Sequence, residues 1–166
     1  MADKIRFQLA NRTLEAKLTL VKADVLTPGR GEPQKDAALV CNQGEILFIG
    51  PQSEIPSEFT SLEALKVPVL IPGLWDCHVH FFGTTQYSPG SAFNLHQTIA
   101  GARTVRDAAE LVNAGYTSVC ECAGHGVHLD QVIEEGSFIG PKIYFCGALI
   151  SQTGGHSDAH NIPLGA

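Results

Sequence analysis

The sequence predicts an α/β protein in which a small β-rich segment precedes alternating strands and helices. Short apolar runs separated by Pro, Gly and polar residues fill positions 18–50. From Val67 onward, apolar stretches of strand length alternate with segments of helical periodicity, a pattern that favours parallel β-α-β units. We therefore expect two domains, a β-rich part at residues 1–67 and an α/β part at residues 68–166.

The β-rich part predicts short strands joined by turns. Pro28-Gly29-Arg30-Gly31 is typical of a turn, and Asn42-Gln43-Gly44 separates two apolar runs as in a hairpin. Residues 51–66 contain Pro, Ser and Glu and predict a loop with one helical turn. The strand candidates are residues 18–21, 24–26, 37–41 and 45–50.

The α/β part predicts three strands and two helices. Its first strand covers residues 69–71 and runs on toward His78, and a loop containing Gly and Ser follows at residues 81–97. A helix over about 98–114 is indicated because apolar residues recur there every three or four positions, and Gly115 is a natural stop. The remaining elements are a strand at 116–122, a short helix at 129–135 and a strand at 142–150.

The composition is that of a globular protein, with 44% hydrophobic and 17% charged residues. A formal net charge of −6 without a basic cluster argues against nucleic acid as a partner, and no apolar run approaches the ~20 residues of a membrane span. The N-terminus has no apolar signal core, so we expect no secretion signal. The five cysteines form no Cys-x-x-Cys pair and predict free thiols in a reducing, cytoplasmic setting: Cys41, Cys77, Cys120, Cys122 and Cys146.

The strongest indication of chemistry is the segment Pro72-Gly73-Leu74-Trp75-Asp76-Cys77-His78-Val79-His80, which follows an apolar run. Side chains alternate between the two faces of an extended chain, so His78 and His80 are expected on one face together with Asp76. Two imidazoles with this spacing at a strand end can hold one divalent metal. Many His-x-His pairs are incidental, but the preceding strand, the Pro-Gly break and the acidic residue favour a metal site.

The segment from Val69 to His80 resembles the first barrel strand of the amidohydrolase superfamily. The resemblance is closest to ochratoxinase-like and imidazolonepropionase-like amidohydrolases and covers roughly residues 18–166. Three further segments support it: Pro28-Gly29-Arg30-Gly31-Glu32-Pro33, Gly115-Tyr116-Thr117-Ser118 and Ser151-Gln152-Thr153-Gly154-Gly155-His156-Ser157-Asp158.

The resemblance implies a small β-sandwich-type segment followed by a (β/α)8 barrel, with a metal centre at the C-terminal ends of the strands. A complete barrel takes ~250 residues, so we expect about three barrel strands here and an N-terminal fragment of a larger enzyme. The implied reaction is hydrolysis of an amide or related C–N bond in a small molecule, with one or two divalent metals. His78 and His80 would be metal ligands, with zinc favoured among Zn, Mn, Fe and Ni, and later strands would supply the other ligands.

We also expect two acidic residues to contribute to the surroundings of the metal ligands. Asp76 would orient a metal ligand or cap the loop. Glu121 follows Cys120 at a position where similar sequences usually carry Arg-Asp, so this chain keeps a carboxylate beside the site and loses a guanidinium. We therefore expect the polar contacts around the metal ligands to differ from those of the relatives.

The other histidines leave alternatives open. His125 and His128 are expected on a loop after the second strand of the α/β part, where they would be solvated or contact substrate. His156 would bind substrate or belong to a turn in which Asp158 caps a helix. Two histidines have no supporting context and are expected at the surface: His96 and His160.

Two other classes of function remain as alternatives to an amidohydrolase that is inactive as a fragment. The chain could be a non-catalytic homologue that binds metal weakly or associates with a full-length relative. An open parallel sheet leaves an apolar edge that favours such association or a homo-oligomer. Cys120 and Cys122 share a strand face and would give a redox role if the pKa of a thiol were lowered.

Overall fold

The computed structural model describes residues 18–86 and 95–155. These residues divide into two compact units, one ending at Pro72 and the other beginning at Gly73. The first unit is all β and the second alternates strands with helices. The predicted mixed α/β class is therefore confirmed.

The first unit is one four-stranded sheet with the strand order β3-β2-β1-β4. The two strand candidates before the first turn are one continuous strand, β1 (Thr19–Leu26), which pairs antiparallel with β2 (Gln34–Asn42). The predicted hairpin is confirmed: β2 pairs antiparallel with β3 (Glu45–Pro51). Gln43 and Gly44 have positive φ angles of 52° and 81°, the backbone that a tight two-residue hairpin requires.

The last strand of this sheet corrects the sequence prediction. The segment expected to be a loop contains two 3-10 turns, Gln52–Glu54 and Ser57–Phe59, and the beginning of β4 (Ala64–Leu70). β4 pairs in parallel with β1, so the apolar run does not continue as the strand that carries His78. Pro72 has no N–H group to donate to a sheet, and the chain leaves strand conformation around it.

The core of the first unit lies around three buried residues, Leu20, Ala38 and Val40. The second 3-10 turn contributes the partly buried side chain of Phe59 to this cluster, and Ile55, directly after the first turn, packs there as well. The residues that pack against the buried ones are Leu18, Phe48, Ile55, Phe59, Leu62 and Ala64.

The second unit is a three-stranded parallel sheet with strands in chain order, β5 (Leu74–Val79), β6 (Tyr116–Glu121) and β7 (Lys142–Phe145). Helix α1 (Gln97–Asn113) connects β5 to β6, and helix α2 (Gly126–Glu134) connects β6 to β7. The predicted β-α-β alternation is thus confirmed. Strands, helices and the segment after β5 share one core, whose buried residues are Phe81, Ala108, Val119, Leu129 and Ile143.

Two element boundaries in this unit differ from the prediction. Helix α2 begins at Gly126 rather than at residue 129, which places His128 in a helix and not on a loop. Glycine is a poor helix former, but the Gly126 N–H donates to the Glu121 carboxylate, a contact that propensity does not reveal. Strand β7 ends at Phe145 rather than at residue 150, and Gly147 has a φ of 74° that no strand residue adopts.

The face of the three-stranded sheet opposite the helices is exposed. Ile143 points into the core, so Tyr144, the next residue along β7, points to the other face. Tyr144 stacks there on Trp75 of β5, with ring centroids 5.0 Å apart, and the two residues are 50% and 54% exposed. Among the described helices, none is long and apolar enough to cross a membrane.

Candidate metal centre at the end of β5

The two histidines of the motif lie side by side where β5 ends. Val79 packs against the core and Phe81 is only 2% exposed, whereas His78 and His80, which alternate with them, are exposed. The two imidazole rings meet edge to face, with centroids 5.0 Å apart. The pair therefore presents two nitrogen-bearing rings to the solvent at the C-terminal end of a parallel strand, the edge at which α/β proteins place their sites.

The ring of His80 is fixed in orientation and in tautomer. Its Nδ1 lies 3.2 Å from the carbonyl oxygen of Ala123. A carbonyl oxygen only accepts hydrogen bonds, so Nδ1 must carry the proton, and in the neutral ring Nε2 then keeps its lone pair. The ring also stacks on Phe82 with an interplanar angle of 8° and a centroid distance of 5.4 Å. An imidazole that donates one ring N–H to a carbonyl and keeps the other nitrogen unprotonated is in the form that binds a metal.

The backbone on either side of this histidine is hydrogen-bonded to the last residue of β6 and to the segment that follows it. The Val79 carbonyl accepts from the Cys122 N–H at 3.0 Å. The Phe81 N–H donates to the Glu121 carboxylate at 3.2 Å, and its carbonyl accepts from the His125 N–H at 3.0 Å. The chain beyond the end of β5 is thereby anchored at three points.

The carboxylate of Glu121 is buried at the beginning of α2. The residue is 2% exposed, and its Oε1 accepts from the N–H groups of Phe81 and Gly126, at 3.2 and 2.9 Å. A negative charge is favourable at a helix N-terminus. Space for the carboxylate depends on two glycines, because a Cβ at Gly124 or Gly126 would collide with its oxygens. The Glu121 side chain thus links the end of β5 to the beginning of α2.

Among the described residues, the ring of His78 has fewer contacts than the ring of His80. The Asp76 Oδ1 accepts from the backbone N–H of His78 at 3.0 Å, while the described part of the chain gives no hydrogen bond to the His78 ring. The pairing of β5 with β6 shifts register between Asp76 and Val79, which interrupts the simple alternation expected from the sequence. Asp76 therefore supports the backbone before the first histidine, and its role toward a metal stays a prediction.

Two other predicted histidines lie at the beginning of α2, where the His128 N–H donates to the His125 carbonyl at 3.1 Å. The residue before α2, His125, is half-buried, and its backbone contacts Phe81. His128 lies exposed in the first turn of α2. Its assignment to the loop is therefore wrong, and the proposed substrate contact of His125 stays a prediction. His156 and His160 lie outside the described residues.

His96 has a role that the sequence did not indicate. Its Nδ1 accepts from the Thr98 N–H at 3.2 Å at the beginning of α1. The first N–H groups of a helix have no partner within the helix, and a side-chain acceptor there stabilises it. Its position immediately before the predicted helix could have indicated a helix cap, but histidine is not among the residues that usually cap a helix.

Cys122, near the site, does not have the property that a redox role requires. Burial raises the pKa of the Cys122 thiol, and the neighbouring Cys120 and Cys146 raise it further. A reactive thiol needs a lowered pKa, because the thiolate is the nucleophile. In the part of the chain that the structure describes, all five cysteines are free thiols.

The donor set fits a divalent metal in part. Two adjacent imidazoles, one of them with Nε2 available, are ligands that zinc accepts, but a catalytic zinc takes three protein ligands. Among the described residues, no group of three or more His, Cys, Asp or Glu side chains is close enough to hold a metal ion. His78 and His80 would thus be two ligands of a larger set.

Sequence comparison relates the chain to known amidohydrolases. It is 41% identical to ochratoxinase from Aspergillus niger over 157 residues, which are 92% of this chain and 33% of that protein. It is 45% identical to imidazolonepropionase from Maricaulis maris over 67 residues, 40% of this chain and 16% of that protein. The chain thus spans about a third of the length of ochratoxinase. No protein-family model matches it.

Comparison with solved structures gives the same relationship. The crystal structure of Aspergillus niger ochratoxinase superposes with a TM-score of 0.81 and 40% identity, covering 90% of this chain and 35% of that one. A Xaa-Pro dipeptidase with bound methionine superposes with a TM-score of 0.73 and 25% identity, covering 87% and 37%. The predicted resemblance to ochratoxinase-like amidohydrolases is confirmed.

Proposed function

We propose that these residues are part of a metal-dependent amidohydrolase in which His78 and His80 bind a divalent metal, with zinc favoured. The observation that carries the proposal is the hydrogen bond from His80 Nδ1 to the Ala123 carbonyl, because it leaves Nε2 free for a metal. A divalent metal bound there would act as a Lewis acid and lower the pKa of a water molecule. The chain itself contributes the two imidazoles and the contacts that orient them.

We propose that β5, β6 and β7 with their two helices are the first strands of a (β/α)8 barrel. The strands are parallel and in chain order, and both helices pack on one face of the sheet. The opposite face, with Trp75 and Tyr144, would then line the interior of the barrel. A barrel has eight strands, so further polypeptide would have to complete it.

The proposed substrate is a small amide, an N-acyl compound or a dipeptide-like compound, cleaved at a C–N bond. The similarity to ochratoxinase and to a Xaa-Pro dipeptidase supports this class. His125 and His156 are the proposed substrate-contacting residues, since loops that follow barrel strands surround the pocket. Cytoplasmic location, without membrane or nucleic-acid partners, is part of the same proposal.

Metal titration of the 166-residue chain tests the ligand assignment. We expect weak zinc binding by calorimetry, because two imidazoles supply fewer ligands than a stable zinc site has. His78→Ala or His80→Ala should weaken this binding at least tenfold. His128→Ala is the matched control, since it removes an exposed histidine from α2 without touching the pair. Unchanged affinity in both ligand variants would refute the assignment.

Amide hydrolysis by the same chain tests the proposal that these residues are inactive alone. We expect no zinc-dependent turnover of dipeptides or N-acyl amino acids above the His78→Ala background. The reason is that the remaining ligands are proposed to lie in other barrel strands. Robust turnover that disappears in His78→Ala would contradict inactivity while supporting the metal site.

A non-catalytic homologue that associates with a full-length relative is the second candidate. The exposed Trp75–Tyr144 face favours it, because exposed apolar surface marks interaction sites. Trp75 is the chain's single tryptophan, so its fluorescence reports burial of this face. A blue shift on adding a full-length relative, absent in Tyr144→Ser, would favour association, whereas an unchanged spectrum would count against it.

A further inference from the structure

We propose that Glu121 is a positioning residue for His80 and that it acts through the Ala123 carbonyl. The inference rests on the proposed function, because it concerns how one proposed ligand is presented to a divalent metal. A buried carboxylate would thus determine which nitrogen of an exposed imidazole carries the proton.

A single carboxylate oxygen fixes two parts of the chain that meet at His80. Glu121 Oε1 accepts from the N–H of Phe81, the residue immediately after His80. It also accepts from the N–H of Gly126, which closes the turn formed by residues 122–125. The backbone of the ligand and the turn that contains Ala123 are therefore tied to the same atom.

The Ala123 carbonyl needs such support because its backbone conformation is unfavourable. Ala123 has a φ of 150° and Gly124 a φ of 132°, values that residues with a side chain rarely adopt. A conformation of this kind persists only when surrounding contacts determine it. Here those contacts are the two hydrogen bonds of Glu121 and the bond from the His125 N–H to the Phe81 carbonyl.

The direction of the Ala123 carbonyl decides which nitrogen of His80 carries the proton. While the carbonyl accepts from Nδ1, the lone pair is on Nε2 and faces away from the turn. If the turn relaxes, that hydrogen bond is lost, and a solvated imidazole favours the proton on Nε2. The nitrogen proposed to bind the metal would then be a hydrogen-bond donor in the neutral ring.

Nitrogen-15 NMR of the histidine rings, recorded in the neutral form at about pH 8, tests the inference without metal. Wild-type His80 should show the Nδ1–H tautomer. Glu121→Ala should shift His80 toward the Nε2–H tautomer and weaken zinc binding by roughly tenfold or more, the usual effect of losing a partner that orients a ligand. Glu121→Gln should retain both properties, because an amide oxygen can accept the same two bonds.

Two comparisons separate positioning from simple stabilisation of the fold. Glu110→Ala removes an exposed carboxylate from α1 and should leave the tautomer and zinc affinity unchanged. If Glu121→Ala does not fold, Glu121→Met, which keeps the volume without an acceptor, replaces it with the same expected result. An Nε2–H tautomer in the wild type, or an unchanged tautomer in the folded Ala or Met variant, overturns the inference. Zinc titration of the wild type decides the proposed function separately.

Discussion

The two proposed ligands are two residues apart, yet the His80 ring is held by a hydrogen bond, whereas the described residues give the His78 ring none. Next to His80, backbone and ring bond to the segment after β6 through Cys122, Ala123 and His125. Next to His78, the Asp76 side chain accepts from the backbone N–H, at the point where the pairing of β5 with β6 shifts register. The spacing of the pair comes from the strand, but the orientation of each ring depends on packing.

This difference suggests that the two histidines contribute differently to metal binding. His80 has a fixed ring plane and tautomer, so little conformational freedom would be lost when a metal binds. His78 would lose rotamer freedom on binding, since the described residues give its ring no hydrogen bond. We therefore regard His80 as the preorganised ligand and His78 as the adaptable one.

The largest expected effect comes from removing the core anchor beside His80. Phe81→Ala should lower the free energy of unfolding by about 3–5 kcal/mol in urea, because a large buried side chain is lost from the core of the second unit. Phe82→Ala is the matched control on the ligand side. It should cost only about 0.5–1.5 kcal/mol, because it removes a stacking contact with His80 and no buried core residue. Equal losses of unfolding free energy in the two variants would contradict the idea that burial of Phe81 in the core holds the chain next to His80.

A smaller effect is expected from filling the space occupied by the Glu121 carboxylate. Gly126→Ala should destabilise the chain by about 1–3 kcal/mol, because the new Cβ would collide with that carboxylate. Gly101→Ala, in α1, meets nothing within 4 Å and should stabilise it by about 0.5–1 kcal/mol. Urea denaturation compares the two helical glycines directly. A stabilising Gly126→Ala would show that the carboxylate is free to move.

The sequence predicted that the two histidines lie together, but not that the strand before them belongs to a different sheet. Side-chain alternation correctly placed His78 and His80 together on one exposed side. It could not show that β4 pairs with β1, because strand pairing across a long stretch of chain is decided by tertiary contacts. The Pro72-Gly73 break in the sequence lies between the strands of two different sheets.

The arrangement around Glu121 could not be predicted for a similar reason. A glutamate in an apolar strand is ordinarily exposed, and its burial here depends on the N-terminus of α2. The available signal was the pair of glycines just beyond it, Gly124 and Gly126, which leave room for the carboxylate. Their significance becomes evident only once the helix beginning at Gly126 is known.

The smallest expected effect is a difference in labelling rate between two cysteines, one next to His78 and one in the segment beside His80. This measurement requires no substitution. Cys77 is exposed next to His78, whereas Cys122 bonds to Val79 and burial raises the pKa of its thiol. A raised pKa means less thiolate at any pH below it, so iodoacetamide at about pH 8 should modify Cys77 before Cys122. Peptide mass spectrometry measures both rates, and the difference should narrow in urea. Equally fast labelling of Cys122 in the native chain would show that the segment beside His80 opens readily.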